Sequence, residues 1–132
     1  MKSKWLIMGL VTTALLVLTA CSTSAKQVSA DDSSSGKQID IAIGGTLTVT
    51  LDSNQTTGFS WELKEIGDTN ILQKMDSKYV APTSNMVGAG GKEVWNFKAL
   101  KAGTTTLSME YSQPWAGGQK DAKSFNLTVV VK

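Results

Sequence analysis

The side chains that most enzymes use for chemistry are nearly missing from this chain. Its 132 residues include no histidine and one cysteine, Cys21. That removes Ser-His-Asp and Cys-His catalysis, and with histidine goes the commonest metal ligand. One cysteine forms no disulfide within the chain. The carboxylates are scattered, with no local pairing of the kind glycoside hydrolysis uses. Three short stretches stand out instead. The first is Asn54-Gln55-Thr56-Thr57-Gly58, followed by Phe59. The second is Gly88-Ala89-Gly90-Gly91, and the third is Gln113-Pro114-Trp115. Their chemistry is that of contact. Thr and Gly carry small side chains, so their backbone can approach a narrow cleft closely. Threonine hydroxyls donate and accept hydrogen bonds. A tryptophan after a proline offers large apolar area with little entropy to lose, the profile of a binding hot spot. The residues therefore point to a binding surface, not an enzyme, with no catalytic residue, no cofactor and no metal.

Each stretch also has a plainer reading. Thr56-Thr57-Gly58 alone is a hairpin loop, and Gly88–Gly91 alone is a flexible turn. A phosphate loop ending at Lys92 fails on spacing, because it needs glycine at Met86 and Ser or Thr at Glu93. Trp115 is also the right kind of residue to be tucked into a core. Asn54-Gln55-Thr56 and Asn126-Leu127-Thr128 are formal glycosylation sequons.

The elements that must position these stretches alternate with period two, the signature of half-buried strands. Ile39, Ile41 and Ile43 mark a first strand. Gly44-Gly45 turns it into Thr46–Leu51, where Leu47, Val49 and Leu51 alternate with threonines. Phe59, Trp61 and Leu63 mark the next strand, and Gly67–Asn70 is turn chemistry. Ile71–Ala81 is less regular and is expected to hold one short strand; 82–91 is expected to be a loop. Strands then follow at Trp95, Phe97 and Ala99, at Leu107, Met109 and Tyr111 after a turn at Gly103, and at Phe125–Val131. Trp61 and Trp95 fall in phase with strand interiors. The pattern predicts an all-β, antiparallel β-sandwich of about seven to eight strands.

The N-terminus reads differently. Lys2 and Lys4 precede an apolar run, Leu6–Leu18, too short for the ~20 residues of a spanning helix. It ends in Leu18-Thr19-Ala20-Cys21, which resembles a bacterial lipobox. Residues 1–20 are thus expected to be a lipoprotein signal peptide, with lipidation at Cys21; an ordinary signal peptide with an incidental cysteine is the alternative. Several acyl chains give a stable anchor where one gives a marginal one. Residues 21–37 are expected to be the lipidated cysteine and a flexible tether, rich in Ser, Ala, Asp and Lys and without aromatics. The domain is expected over 38–132. The thirteen basic residues are all lysines; without Lys2 and Lys4, eleven face eleven acids. No basic face for nucleic acid is implied.

The order and spacing of the three stretches are similar to those of the chagasin family, whose motifs run Asn-Pro-Thr-Thr-Gly-Phe, Gly-x-Gly-Gly, then Arg-Pro-Trp or Arg-Pro-Phe. The resemblance covers the whole domain. It implies an immunoglobulin-like sandwich with the three loops at one end. It also implies reversible, tight-binding inhibition of papain-like cysteine proteases, whether the cell's own, a host's or a competitor's. Thr56, Thr57 and Gly58 would sit at the protease's catalytic pair, Gly88–Gly91 along one side of the cleft, and Trp115 on the other. Gln55 stands where the family has proline, and Gln113 where it has arginine. The partners expected are such proteases and, through the anchor, a membrane of the cell envelope; the protein is expected to be exported and monomeric. The alternative is an envelope adhesion or ligand-binding module on the same fold.

Overall fold

The computed structural model describes residues 24–83 and 86–132. The signal-peptide residues and Cys21 lie outside the described residues. Eight strands occur among those described: β1 Gln27–Asp31, β2 Gln38–Ile41, β3 Thr46–Ser53, β4 Ser60–Ile66, β5 Leu72–Val80, β6 Gly91–Ala99, β7 Gly103–Ser112 and β8 Lys123–Val131. They form two four-stranded sheets, β1-β3-β6-β5 and β2-β8-β7-β4. The alternating residues fill the space between the sheets. Leu47, Val49, Leu51, Trp95, Phe97 and Ala99 face Trp61, Leu107, Met109, Tyr111, Phe125, Leu127, Val129 and Val131, all buried. The all-β sandwich expected from period two is the fold observed.

Four details differ from the pattern reading. The tether expected over 21–37 is already part of the fold: β1 pairs with β3 from Gln27↔Thr46 to Asp31↔Thr50. Only Val28 and Ala30 turn inward there, too little alternation to reveal a strand, and the pairing with β3 supplies what burial does not. Second, the sheets are not purely antiparallel. β1 runs parallel to β3, and β2 parallel to β8. Third, β5 is nine residues long and exposed along most of both faces. Such a strand shows no apolar alternation. Its open edge is guarded by Lys74 and Lys78 and by a bulge at Met75. Fourth, β2 stops at Ile41, and Ile43 is exposed in a turn closed by the Gly45 amide on the Ala42 carbonyl at 2.9 Å.

Candidate functional site

Strands β3 and β6 run antiparallel, as do β4 and β7. The three loops 54–59, 81–90 and 113–122 therefore emerge at one end of the sandwich. The first is a single 3₁₀ turn, Gln55–Thr57, capped by Asn54. Asn54 Oδ1 accepts from the Thr56 amide at 3.1 Å and the Thr56 hydroxyl at 2.6 Å. The Thr57 hydroxyl donates to the Asn54 carbonyl at 2.6 Å. Gly58 ends the turn at φ 78°, a left-handed conformation that glycine adopts without penalty. Both threonine protons are thus spent inside the loop. What these hydroxyls offer a partner is lone pairs, not donors.

The other two loops are fastened to the first. Asn54 Nδ2 donates to the Gly88 carbonyl at 3.0 Å. Gln113 Nε2 donates to the Thr57 carbonyl at 3.3 Å, while its Oε1 accepts from the Gln119 amide at 2.9 Å. The indole of Trp115 lies directly against Gly58. Within the third loop, Lys120 Nζ donates to the Gln113 and Trp115 carbonyls. The side chain of Gln113 therefore works as an internal bridge between loops.

A platform of aromatic rings carries this assembly. Tyr111 stacks with Phe59 at 5.2 Å between centroids and packs at a tilt against Trp61 at 5.1 Å. Its hydroxyl accepts from the Asn54 amide at 2.9 Å. Beneath lies Glu93, only 9% exposed. Its Oε2 accepts from the Ser53 hydroxyl at 2.6 Å and from the Trp61 amide at 3.0 Å. Ser53 belongs to one sheet and Trp61 to the other. One carboxylate thus ties both sheets together at the root of the first loop. Glu110 does a similar task for the third loop, accepting from the Asp121 amide at 2.7 Å and pairing with Lys64 at 3.3 Å. The amide hydrogen bond first, then Lys64, holds the Glu110 carboxyl below its ordinary value.

The expected site residues separate into two sets. Gln55, Thr56, Thr57, Gly88, Gly90, Pro114 and Trp115 form the exposed rim, joined by partly covered Asn54, Gly58, Ala89 and Gln113. Gly91 belongs elsewhere: it is buried as the first residue of β6, opposite Ser53. A β-carbon there would fall 2.7 Å from Tyr79 Cζ and closer to the Val80 carbonyl, so Gly91 lets β5 and β6 close on one another. Phe59 is half-buried on Tyr111 and supports the rim from below. The residues missed were Glu93, Glu110 and Tyr111 as loop supports, and Met86 and Val87 as rim. Glu93 stands in phase with inward-facing Trp95 and Phe97, and a carboxylate in that phase is the signal that finds it. Val87 is fully exposed at the tip of the second loop. The rim stretches 54–58, 86–91 and 113–119 contain no charged residue. The arrangement can fill a cleft; it holds no nucleophile–base pair.

Residues 40–129 match the family described as chagasin family peptidase inhibitor I42. Chagasin of Trypanosoma cruzi is 32% identical over 96 residues, covering 70% of this chain and 86% of that protein. Amoebiasin-2 of Entamoeba histolytica is 32% identical over 92 residues, covering 70% and 75%. The crystal structure of the cysteine protease inhibitor EhICP2 from Entamoeba histolytica superposes with a TM-score of 0.71 at 25% identity, over 80% of this chain and 96% of that one. The match spans the strands that carry all three loops, and on it the chain belongs to the chagasin family of peptidase inhibitors, not to a family of enzymes.

Proposed function

We propose that this protein inhibits papain-like cysteine proteases by seating its three-loop rim in their active-site cleft. The observation that carries this is the mutual fastening of the loops. Asn54 to Gly88, Gln113 to Thr57 and Trp115 to Gly58 hold three separate chain segments as one preformed edge. An edge that is already ordered loses little entropy on binding. Thr56, Thr57 and Gly58 are narrow enough for the protease's catalytic pair. Gly88–Gly90 with Val87 takes one wall of the cleft and Trp115 the other. Inhibition is reversible and involves no covalent step. The kinship with a cysteine protease inhibitor of Entamoeba histolytica supports the same target class.

The protein acts as a monomer, exported and lipid-anchored at Cys21 to a membrane of the cell envelope. The lipobox-like Leu18-Thr19-Ala20-Cys21 after a short apolar run supports that anchor. The test of function is titration of active-site-counted papain with Ser22–Lys132, beside a serine protease. Stoichiometric, reversible loss of papain activity alone is expected. Trp115→Ala should weaken it by about 2 kcal/mol or more, roughly thirtyfold. Papain and cathepsin-L-like and cathepsin-B-like enzymes all left active would refute the proposal.

A further inference from the structure

The strand pairing decides which end of the domain the N-terminus leaves from. β1 begins at Gln27, level with Thr46, and runs parallel to β3 toward the rim. Its start is therefore at the end opposite the loops. The chain is already fastened two residues earlier: the Ala25 carbonyl accepts from the Ala42 amide at 2.9 Å, and the Lys26 carbonyl from the Thr46 amide at 2.8 Å. Only Ser22, Thr23 and Ser24 separate Cys21 from Ala25. Four residue steps reach at most ~14 Å. β3 alone puts roughly 23 Å between the base and the rim.

The base has the surface of something that rests on a bilayer. Ile43 and Leu100 are exposed there, at 48% and 41%. The Ile43 amide donates to the Lys132 carbonyl at 3.1 Å and the Gly44 amide to the Ala99 carbonyl at 2.8 Å, which gathers Ile43, Leu100 and Lys132 into one patch. Lys26 and Lys101 are exposed beside it. Asp40 pairs with Lys132 at 3.1 Å, and Asp68 lies in the neighbouring β4–β5 turn. Lysines outnumber acids in this patch, and anionic headgroups attract lysines near the surface. The apolar tips suit the headgroup boundary.

We infer that the end of the sandwich formed by Ile43, Leu100, Lys26, Lys101 and Lys132 docks on the lipid bilayer, so that the anchored domain stands upright with its three-loop rim facing the aqueous phase. This rests on the reading of Cys21 as the lipid anchor. A flexible tether over 21–37 would let the domain turn freely; the pairing of β1 with β3 removes most of that freedom.

The test uses the full chain, expressed with its leader, extracted and reconstituted in vesicles of phosphatidylethanolamine with a minority of phosphatidylglycerol. Ala102→Cys at the base or Ala116→Cys at the rim carries an environment-sensitive fluorophore, and headgroup nitroxide lipids act as quencher. Intact mass reports acylation of Cys21 in the same samples. Quenching is expected to be roughly threefold or more stronger at 102 than at 116, given the ~23 Å between the two ends. Inserting about a dozen Gly/Ser residues between Ser24 and Ala25 should narrow the difference without reversing it, because the base patch still faces the bilayer. Acylated protein quenched equally at both positions, or more at 116, overturns the upright orientation and leaves the anchor standing. An unmodified Cys21 overturns the anchor, and the orientation with it.

Discussion

Trp115 and Gly58 are in contact across two loops: a β-carbon at Gly58 would fall 2.8 Å from Cζ3 of the indole and closer still to Cη2. Gly58 also holds φ 78°. The residue is therefore required twice, once for backbone conformation and once for the space that lets Trp115 stand half-exposed on the rim.

Gly58→Ala tests both demands. The left-handed conformation costs an alanine about 1–2 kcal/mol, and the ring must shift as well. Urea unfolding should show a loss of that size, and papain inhibition should weaken at least tenfold because Trp115 is displaced. A variant that loses stability but inhibits fully would show that Trp115 does not need Gly58.

Glu93 gives a prediction about burial. Glu93→Ala leaves the Ser53 hydroxyl and the buried Trp61 amide without their acceptor. Each orphaned donor costs about 1–3 kcal/mol, so a loss on the order of 2–5 kcal/mol is expected in urea unfolding. Glu93→Gln keeps an acceptor oxygen and should recover a good part of it. Equal losses in the two variants would mean that packing, not hydrogen bonding, is the role of the side chain.

Gln55 occupies the first position of the 3₁₀ turn, and its amide donates no hydrogen bond within the described residues. The preceding Asn54 is extended, with φ −118° and ψ 96°. Both features suit proline at 55. Gln55→Pro should raise stability by about 0.4–1 kcal/mol, through a less flexible unfolded chain, and tighten inhibition by no more than a similar amount. A destabilised variant would show that the Gln55 amide or side chain has a partner in solution.

Glu110 gives a pH dependence. Its folded value is depressed, chiefly by the Asp121 amide and then by Lys64. Such a group stabilises the fold above its unfolded value and loses that contribution as pH falls through the folded one. Wild type should therefore lose stability more steeply than Glu110→Gln as pH drops below the ordinary carboxylate value of 4.5. Urea midpoints at neutral pH and in the acid range provide the comparison. Parallel acid losses in both proteins would remove Glu110 from the acid response.

Much of this molecule is legible in its sequence. The alternation of Leu47, Val49 and Leu51, or of Trp95 and Phe97, is dictated by burial on one face, and the turn residues between strands mark the loops. What alternation does not carry is direction, so the parallel edges β1/β3 and β2/β8 left no trace. Strands held mainly by pairing, such as β1 and β5, have little apolar content to read. Within the site, the three rim stretches are visible because glycine, proline and asparagine mark loops, and a tryptophan inside one is unusual. Their couplings are not, since Asn54 to Gly88 and Gln113 to Thr57 join residues 34 and 56 positions apart.

The pairing of β2 with β8 also sets a clock. Ile41 lies beside Val131, and the Gly36 amide reaches the Asn126 carbonyl at 2.7 Å. β8, which follows every other described strand in chain order, occupies an inner position of its sheet, between β2 and β7. Until Lys123–Val131 has emerged, β2 has no partner and β7 lacks one of its neighbours. Domains dominated by such distant pairings close in milliseconds to seconds, not microseconds. The second sheet is therefore complete, and the loop between β7 and β8 held at both ends, only once β8 has joined it.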